Sequence, residues 1–467
     1  MNANWFTGAE APKTRGGVFT VFALAVVTLG SLGCGDNVAD ASREPPPGSG
    51  GRTSGPGGSG GVAPIGCDVP LADRVQVTTV TAPEPILANT EYFPVVLAPQ
   101  GSGGALVAWR EAATETVRVA VLDDSDQLVG TVLTLDGLEV HALLAHDDGG
   151  AVAIVRDDPV IYSDAYCNPE TMPNVAYCGK LDLVRFDGSG NTEWETKLTS
   201  DTSVNSDGAL FIWQYEHTVR LGWSGDEYGV YFRSAGSVAR PGVPGEVDIY
   251  GGDTLRFVAG DGSIVEGEGE GEAGWSWGCT YSWSVRLAYD GHWGAACHGD
   301  NIPNALRLRI MDPTRTLGTA ILHEGMNPTR RALGGLVPRS GGFWLSHIAE
   351  SEDEILELHL ADIDDSAEIG EDRVIPEAEG IDQVYPFRPY MADYGDDELL
   401  VGWKSGGDLQ IATLDRSTGE MLDGPVTVEA PIDQFQEFVS CPNGDVGWAW
   451  SAGGTDEVSI ARVRACE

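Results

Sequence analysis

One pattern occurs seven times along this chain, and that recurrence constrains the fold more than any other feature. Seven apolar hexamers stand at 104–109 (GALVAW), 150–155 (GAVAIV), 227–232 (EYGVYF), 292–297 (HWGAAC), 342–347 (GFWLSH), 398–403 (ELLVGW) and 445–450 (DVGWAW). A turn signal rich in Gly, Asp or Asn precedes each of them, so each reads as a buried strand. Downstream of every hexamer an alternating run starts at Val117, Leu181, Leu255, Leu306, Leu356, Leu409 or Val458. Six positions later it ends at Asp123, Asp187, Asp261, Asp312, Asp362, Asp415 or Arg464. LRLRIMD and LELHLAD show the two-residue period of a strand with one wet face, and the terminal Asp is a turn former.

A shorter apolar run precedes each hexamer, and a fourth follows most of the Asp turns. Four antiparallel strands recurring every 46 to 77 residues describe the blades of a β-propeller. The fold class is therefore all-β, a seven-bladed β-propeller. The seventh repeat stops after its third strand, while 74–81 (RVQVTTVT) is a spare strand at the start, and this pair predicts closure of the ring by the N-terminal strand. A two-sheet sandwich also has short strands but does not predict seven matched copies. The 62 glycines suit a turn-rich β architecture and would be costly in a helical bundle. The repeats resemble bacterial β-propellers in general, over about 390 residues, with no WD dipeptide, sialidase-type Asp box or DxDxDG calcium loop.

Residues 1–33 read as an export signal: Lys13 and Arg15, then an uncharged apolar stretch over 18–32. Leu32, Gly33 and Cys34 resemble the lipobox of bacterial lipoproteins. The resemblance implies that Cys34 becomes a lipidated first residue, holding the chain on a membrane at the outer membrane, cell surface or periplasm. Residues 34–66 are rich in Gly, Pro and Ser and form a flexible tether, and 67–467 form the propeller domain. No later segment has the 18 or more apolar residues that a transmembrane helix needs.

Eight cysteines in an exported chain imply disulfides. In a four-strand meander the turns joining strands one to two and three to four share one end of the sheet, here the lower. Cys67, ahead of the spare strand, and Cys466, after the seventh repeat's third strand, meet at that end and should be bonded. Cys279 and Cys297 fall together at the upper end, and Cys167 and Cys178 staple one insertion. Cys441 is left as the odd thiol unless it takes the place of Cys466.

Length differences point to where binding resides. The gap from second to third strand is 6 to 9 positions in five repeats but 26 in the second and 23 in the third, and both insertions land on the upper face. Five of the seven residues after the hexamers are basic or His: Arg110, Arg156, Arg233, His298 and Lys404. The starts of the innermost strands add His141, His217, Arg331 and Arg388. Lys, Arg and His supply only 36 of 467 residues, so their grouping suggests a cationic mouth for carboxylate, sulfate or phosphate. Salt bridges to Glu111, Asp157 and Asp158 are the plainer explanation. Trp275 and Trp277, on a loop held by the Cys279 bridge, are candidates to stack on sugar rings or to act as a partner hot spot, and burial against the fourth repeat is an equal alternative.

The net charge of -43 argues against nucleic acid as a partner. No nucleophile elbow, P-loop, HExxH or dinucleotide glycine pattern is present in the required context, and neither a cofactor nor a metal is expected. The leading expectation is a non-enzymatic binding or scaffold module for a carbohydrate, envelope polymer or protein. The enzyme alternative is a hydrolase or lyase acting on an anionic polysaccharide.

Overall fold

Each apolar hexamer falls on a strand with a partner on either side and is largely buried, whereas the run that follows is more mixed, from alternating burial in LRLRIMD to burial throughout 181–186. The computed structural model describes residues 66–87, 95–101, 103–114, 116–158, 167, 178–213, 218–265, 277–382, 388–433 and 435–466. The export signal, Cys34, most of the tether, His217 and Trp275 lie outside the described residues.

The strands in chain order are β1 (Val75–Thr81), then β2 (Val95–Pro99), β3 (Ala105–Arg110), β4 (Thr116–Leu122) and β5 (Leu128–Asp136). The second group is β6 (Glu139–His146), β7 (Gly149–Asp157), β8 (Cys178–Asp187) and β9 (Thr192–Lys197), followed by β10 (Leu210–Trp213). The third is β11 (Val219–Trp223), β12 (Glu227–Ala239) and β13 (Val247–Ala259). The fourth is β14 (Ser282–Tyr289), β15 (Trp293–Gly299), β16 (Leu306–Met311) and β17 (Leu317–Leu322). The fifth is β18 (Arg331–Arg339), β19 (Gly342–Glu350), β20 (Leu356–Asp364) and β21 (Ile369–Val374). The sixth is β22 (Tyr390–Tyr394), β23 (Glu398–Ser405), β24 (Asp408–Asp415) and β25 (Met421–Val428). The last is β26 (Val439–Ser440), β27 (Val446–Trp450) and β28 (Glu457–Val463).

Each group is an antiparallel meander, and β1 adds to the outer edge of β28 with Val75 opposite Val463 and Thr81 opposite Glu457. Innermost strands touch in succession, β2 to β6, β11, β14, β18, β22 and β26, and β26 touches β2. The fold is all-β and propeller-like. Its apolar cores lie between neighbouring sheets: Trp109 and Val95 pack with Val458 and Ile460, and Leu308 packs with Leu345 and Ile363. Each such side chain, fully buried, contributes roughly 1.5–3 kcal/mol.

Turns follow the sequence with one displacement. Asp123, Asp187, Asp261, Asp312 and Asp415 each accept backbone N–H bonds from residues two to four positions on. In the fifth sheet the turn is made by Asp364, not Asp362, because β20 runs two residues further; Asp362 instead pairs with Arg339. Gly149 and Gly342, which open β7 and β19, have φ of 147° and 150°. A Cβ there would lie 2.1 Å from the carbonyl oxygen of Phe186 or Ile363. Among the described residues the third sheet has no fourth strand, only an isolated bridge from Val258 to Ile264.

The long upper insertion of the third repeat is part of its sheet. β12 and β13 extend the third sheet as a hairpin whose pairing continues to Ala239 and Val247. β10 pairs with both β8 and β12, joining the second and third groups into one eight-stranded sheet. Cys167, Cys178, Val204, Phe211 and Ala235 form a small apolar core of their own. Disulfides join Cys67 to Cys466, Cys167 to Cys178 and Cys279 to Cys297, and Cys441 is a free, buried thiol. Three disulfides mark an oxidising, exported environment. No helix among the described residues is long and apolar enough to cross a membrane.

Candidate functional site

The innermost strands begin at the upper end, and there the chain gathers cations. The Nε atoms of Arg220 on β11 and Arg286 on β14 lie 2.8 and 2.6 Å from one carboxylate oxygen of Glu437. Both arginines occupy the same place in matching runs, TVRLGW and SVRLAY, a signal present in the sequence. Burial pulls the Arg286 guanidinium down to about 10, Glu437 opposes that, and the neighbouring charge of Arg220 adds to it.

Arg388 stands just before β22 and is buried. Its Nη2 donates to the Trp283 carbonyl at 2.7 Å, and its guanidinium lies 5.1 Å from the centre of the Phe435 ring. Its Nη1 makes no hydrogen bond among the described residues. Burial, then the charges of Arg286, Arg233 and Arg220, weaken its hold on its proton. His298, buried beside Arg331, Arg388 and Arg233, is driven far toward its neutral form by burial first and by those charges second. Trp283 donates from Nε1 to Asp300 at 3.0 Å and its ring lies 5.2 Å from that of His298.

A segment ahead of β26 lies across this group. Gln436 donates to the carbonyls of Val95 and Ala449, the Phe435 carbonyl accepts from Arg220, and the Asp433 carbonyl accepts from the Tyr390 hydroxyl. Burial raises the Asp433 carboxyl to about 6 despite Arg388 and Lys404 nearby. Next to it is a cavity of ≈ 140 Å³, lined by His141, Arg220, Gln436, Glu437 and apolar residues of β2, β6, β11 and β27. His141 sits at a bulge in β6, which turns its ring inward to face Glu139 at 3.1 Å, and Trp283 sits at a corresponding bulge in β14.

The expected cationic residues therefore divide. Arg233, His298, Arg331 and Arg388 converge at the mouth, His141 lines the cavity and Lys404 acts on Asp433. Arg331, fully buried, is committed to the carbonyls of Met326 and Gly299 and to the Asn304 side chain. Arg156 turns to Glu195 at 2.6 Å and Asp182 at 3.4 Å, while Arg110 remains half-buried at the end of β3. The anticipated ion-pair partners differ as well: Glu111 binds Arg118, and Asp158 binds Lys197. Trp277 is not a sugar platform. It is buried edge-on to Tyr231 with the Arg309 guanidinium 4.7 Å from its centre, because Asp253 holds the backbone N–H groups of Gly278 and Cys279 and draws this loop inward.

Comparison with known protein families and with curated proteins gives no match. Among solved structures, the Dos1 propeller is 9% identical with a TM-score of 0.43, over 83% of each chain. A GH93 α-L-arabinofuranosidase of Fusarium graminearum, in complex with arabinobiose, is 11% identical with a TM-score of 0.40, over 83% of this chain and 98% of that one. AofleA from Arthrobotrys oligospora is 10% identical with a TM-score of 0.37, over 84% of this chain and 94% of that one.

Proposed function

We propose that the chain is an exported, lipid-anchored seven-bladed β-propeller, closed by its N-terminal strand, that acts as a binding or scaffold module. Its upper mouth takes an anionic group of a carbohydrate, envelope polymer or protein. The succession of seven innermost strands and the pairing of β1 with β28 support the ring. Lipidation of Cys34 and a tether over 34–66 would set the ring off the membrane surface.

The observation that carries the mouth is Arg388, a buried guanidinium with one donor nitrogen unmatched among the described residues, set among Arg220, Arg233, Arg286 and Arg331. In a chain with 71 acidic residues against 28 basic ones, a group of five neighbouring arginines runs against the composition. A carboxylate or sulfate would supply the missing acceptor, and low local polarity would strengthen the pairing. Calorimetry with uronic-acid and sulfated oligosaccharides at two salt concentrations tests this. Arg233→Ala and Arg388→Ala should weaken binding about tenfold or more and flatten its salt dependence. Unchanged binding in both variants would remove the mouth. New reducing ends or unsaturated sugars in the same mixtures would favour the hydrolase or lyase alternative.

A further inference from the structure

Three of the chain's eight histidines meet one carboxylate in the fifth sheet. His347 on β19 lies directly opposite His359 on β20, Asp372 comes from the edge strand β21, and His323 follows β17. One ligand atom from each of the four lies within 4.8 Å of the others. His323 Nε2 is 3.4 Å from Asp372 Oδ2, while His347 Nε2 and His359 Nδ1 are 2.9 and 3.3 Å from Oδ1.

Two explanations compete, a set of His–Asp hydrogen bonds and a metal site. Charge-assisted N–H···O bonds run to about 2.7–2.9 Å. His347 fits that, but His323 Nε2 and His359 Nδ1 stand 3.4 and 3.3 Å from Asp372, longer than such bonds. Donors bound at about 2.0–2.1 Å around a tetrahedral zinc ion lie about 3.3 Å apart, which matches the two longer separations. The other ring nitrogen of His359 lies 3.8 Å from Glu357, beyond hydrogen-bond distance. The one other grouping of this kind among the described residues, Asp253 with Cys279 and Cys297, is excluded because both sulfurs are in a disulfide.

We propose that His323, His347, His359 and Asp372 bind one divalent transition-metal ion of the zinc class. Four protein donors complete a tetrahedral shell and leave no position for substrate, so the ion acts as a staple. It ties the connection after β17 to the middle and the outer edge of the fifth sheet.

The test uses the full mature chain, freed of any affinity tag and stripped of metal. Equilibrium dialysis against Zn²⁺ should leave one equivalent per chain, Co²⁺ should give the intense visible bands of a four-coordinate ion, and the thermal transition should rise with either metal. His347 is wholly buried, so the variants chosen are His323→Ala and Asp372→Asn, with the stripped protein's own transition as the folding control. Both should lose at least about tenfold in Zn²⁺ affinity, and the metal-dependent rise with it. Failure of the parent chain to take up an equivalent, or equal uptake by folded variants, would overturn the assignment.

Discussion

Cys67 and Cys466 stand 399 positions apart in the sequence and are bonded, with their Cα atoms 4.8 Å from one another. Immediately beside them β1 pairs with β28, so one covalent link secures a strand that has no continuous chain connection to its sheet. Loop-closure entropy gives such a link up to about 5 kcal/mol. The Cys67→Ser, Cys466→Ser variant should melt at a lower temperature, with faster amide exchange in β1 than elsewhere. Unchanged exchange in β1 would show that the seven residue pairs hold it unaided.

Gly342 opens β19 in a conformation that an L side chain rarely adopts, facing the Ile363 carbonyl. Gly342→Ala should cost about 1–3 kcal/mol in denaturant unfolding. The control is Gly341→Ala, where φ is also positive but no heavy atom lies near the added carbon. It should cost less, since it carries the backbone penalty without the clash.

Asp253 is fully buried, and burial lifts its carboxyl to about 6 although it accepts from Tyr231, Gly278 and Cys279. Asp433 is likewise raised to about 6 by burial. Both bind a proton more tightly folded than unfolded, so their contribution is full below about pH 4, declines as pH rises to about 6, and stays lost above that. Melting temperature against pH should therefore carry a falling component across this window. Asp253→Asn should lower stability throughout, since its amide cannot accept from three donors, and should reduce that component by about half.

Glu437 holds two buried guanidiniums at once. Glu437→Gln leaves Arg220 and Arg286 facing each other uncompensated and should destabilise the protein by about 1–3 kcal/mol, less than for a fully buried pair because Glu437 is partly exposed. Added sulfate should raise the melting temperature of this variant more than that of the parent. An equal rise in both would mean that the two arginines do not share an anion site.

Periodicity was the informative part of the sequence. All seven hexamers and all seven following runs fall on strands apart from residues at their ends, because apolar period and turn chemistry are local properties that a single chain displays. The disulfides were readable for a related reason, as strand order alone decides which end of a sheet a cysteine reaches. Register was not readable. His347 and His359 are twelve positions apart with no motif between them, and only the pairing of β19 with β20 sets them opposite. A histidine ending an otherwise apolar hexamer, with another in the next run, was the available clue. For Trp277 the sequence leaves stacking and burial both open, because exposure depends on Asp253, a residue 24 positions earlier that turns the loop inward.

The N-terminal strand leaves the ribosome long before its partner exists. Some 375 residues separate Thr81 from Glu457, so throughout synthesis and export β1 must wait with an open edge and no sheet to join. Its composition suits that interval: VQVTTVT keeps most of its side chains polar or only partly buried even in the finished protein, which limits its tendency to pair with a neighbouring chain. Pairing of β1 therefore has to wait for β28, and a molecule interrupted before that strand leaves the β1 edge without its partner.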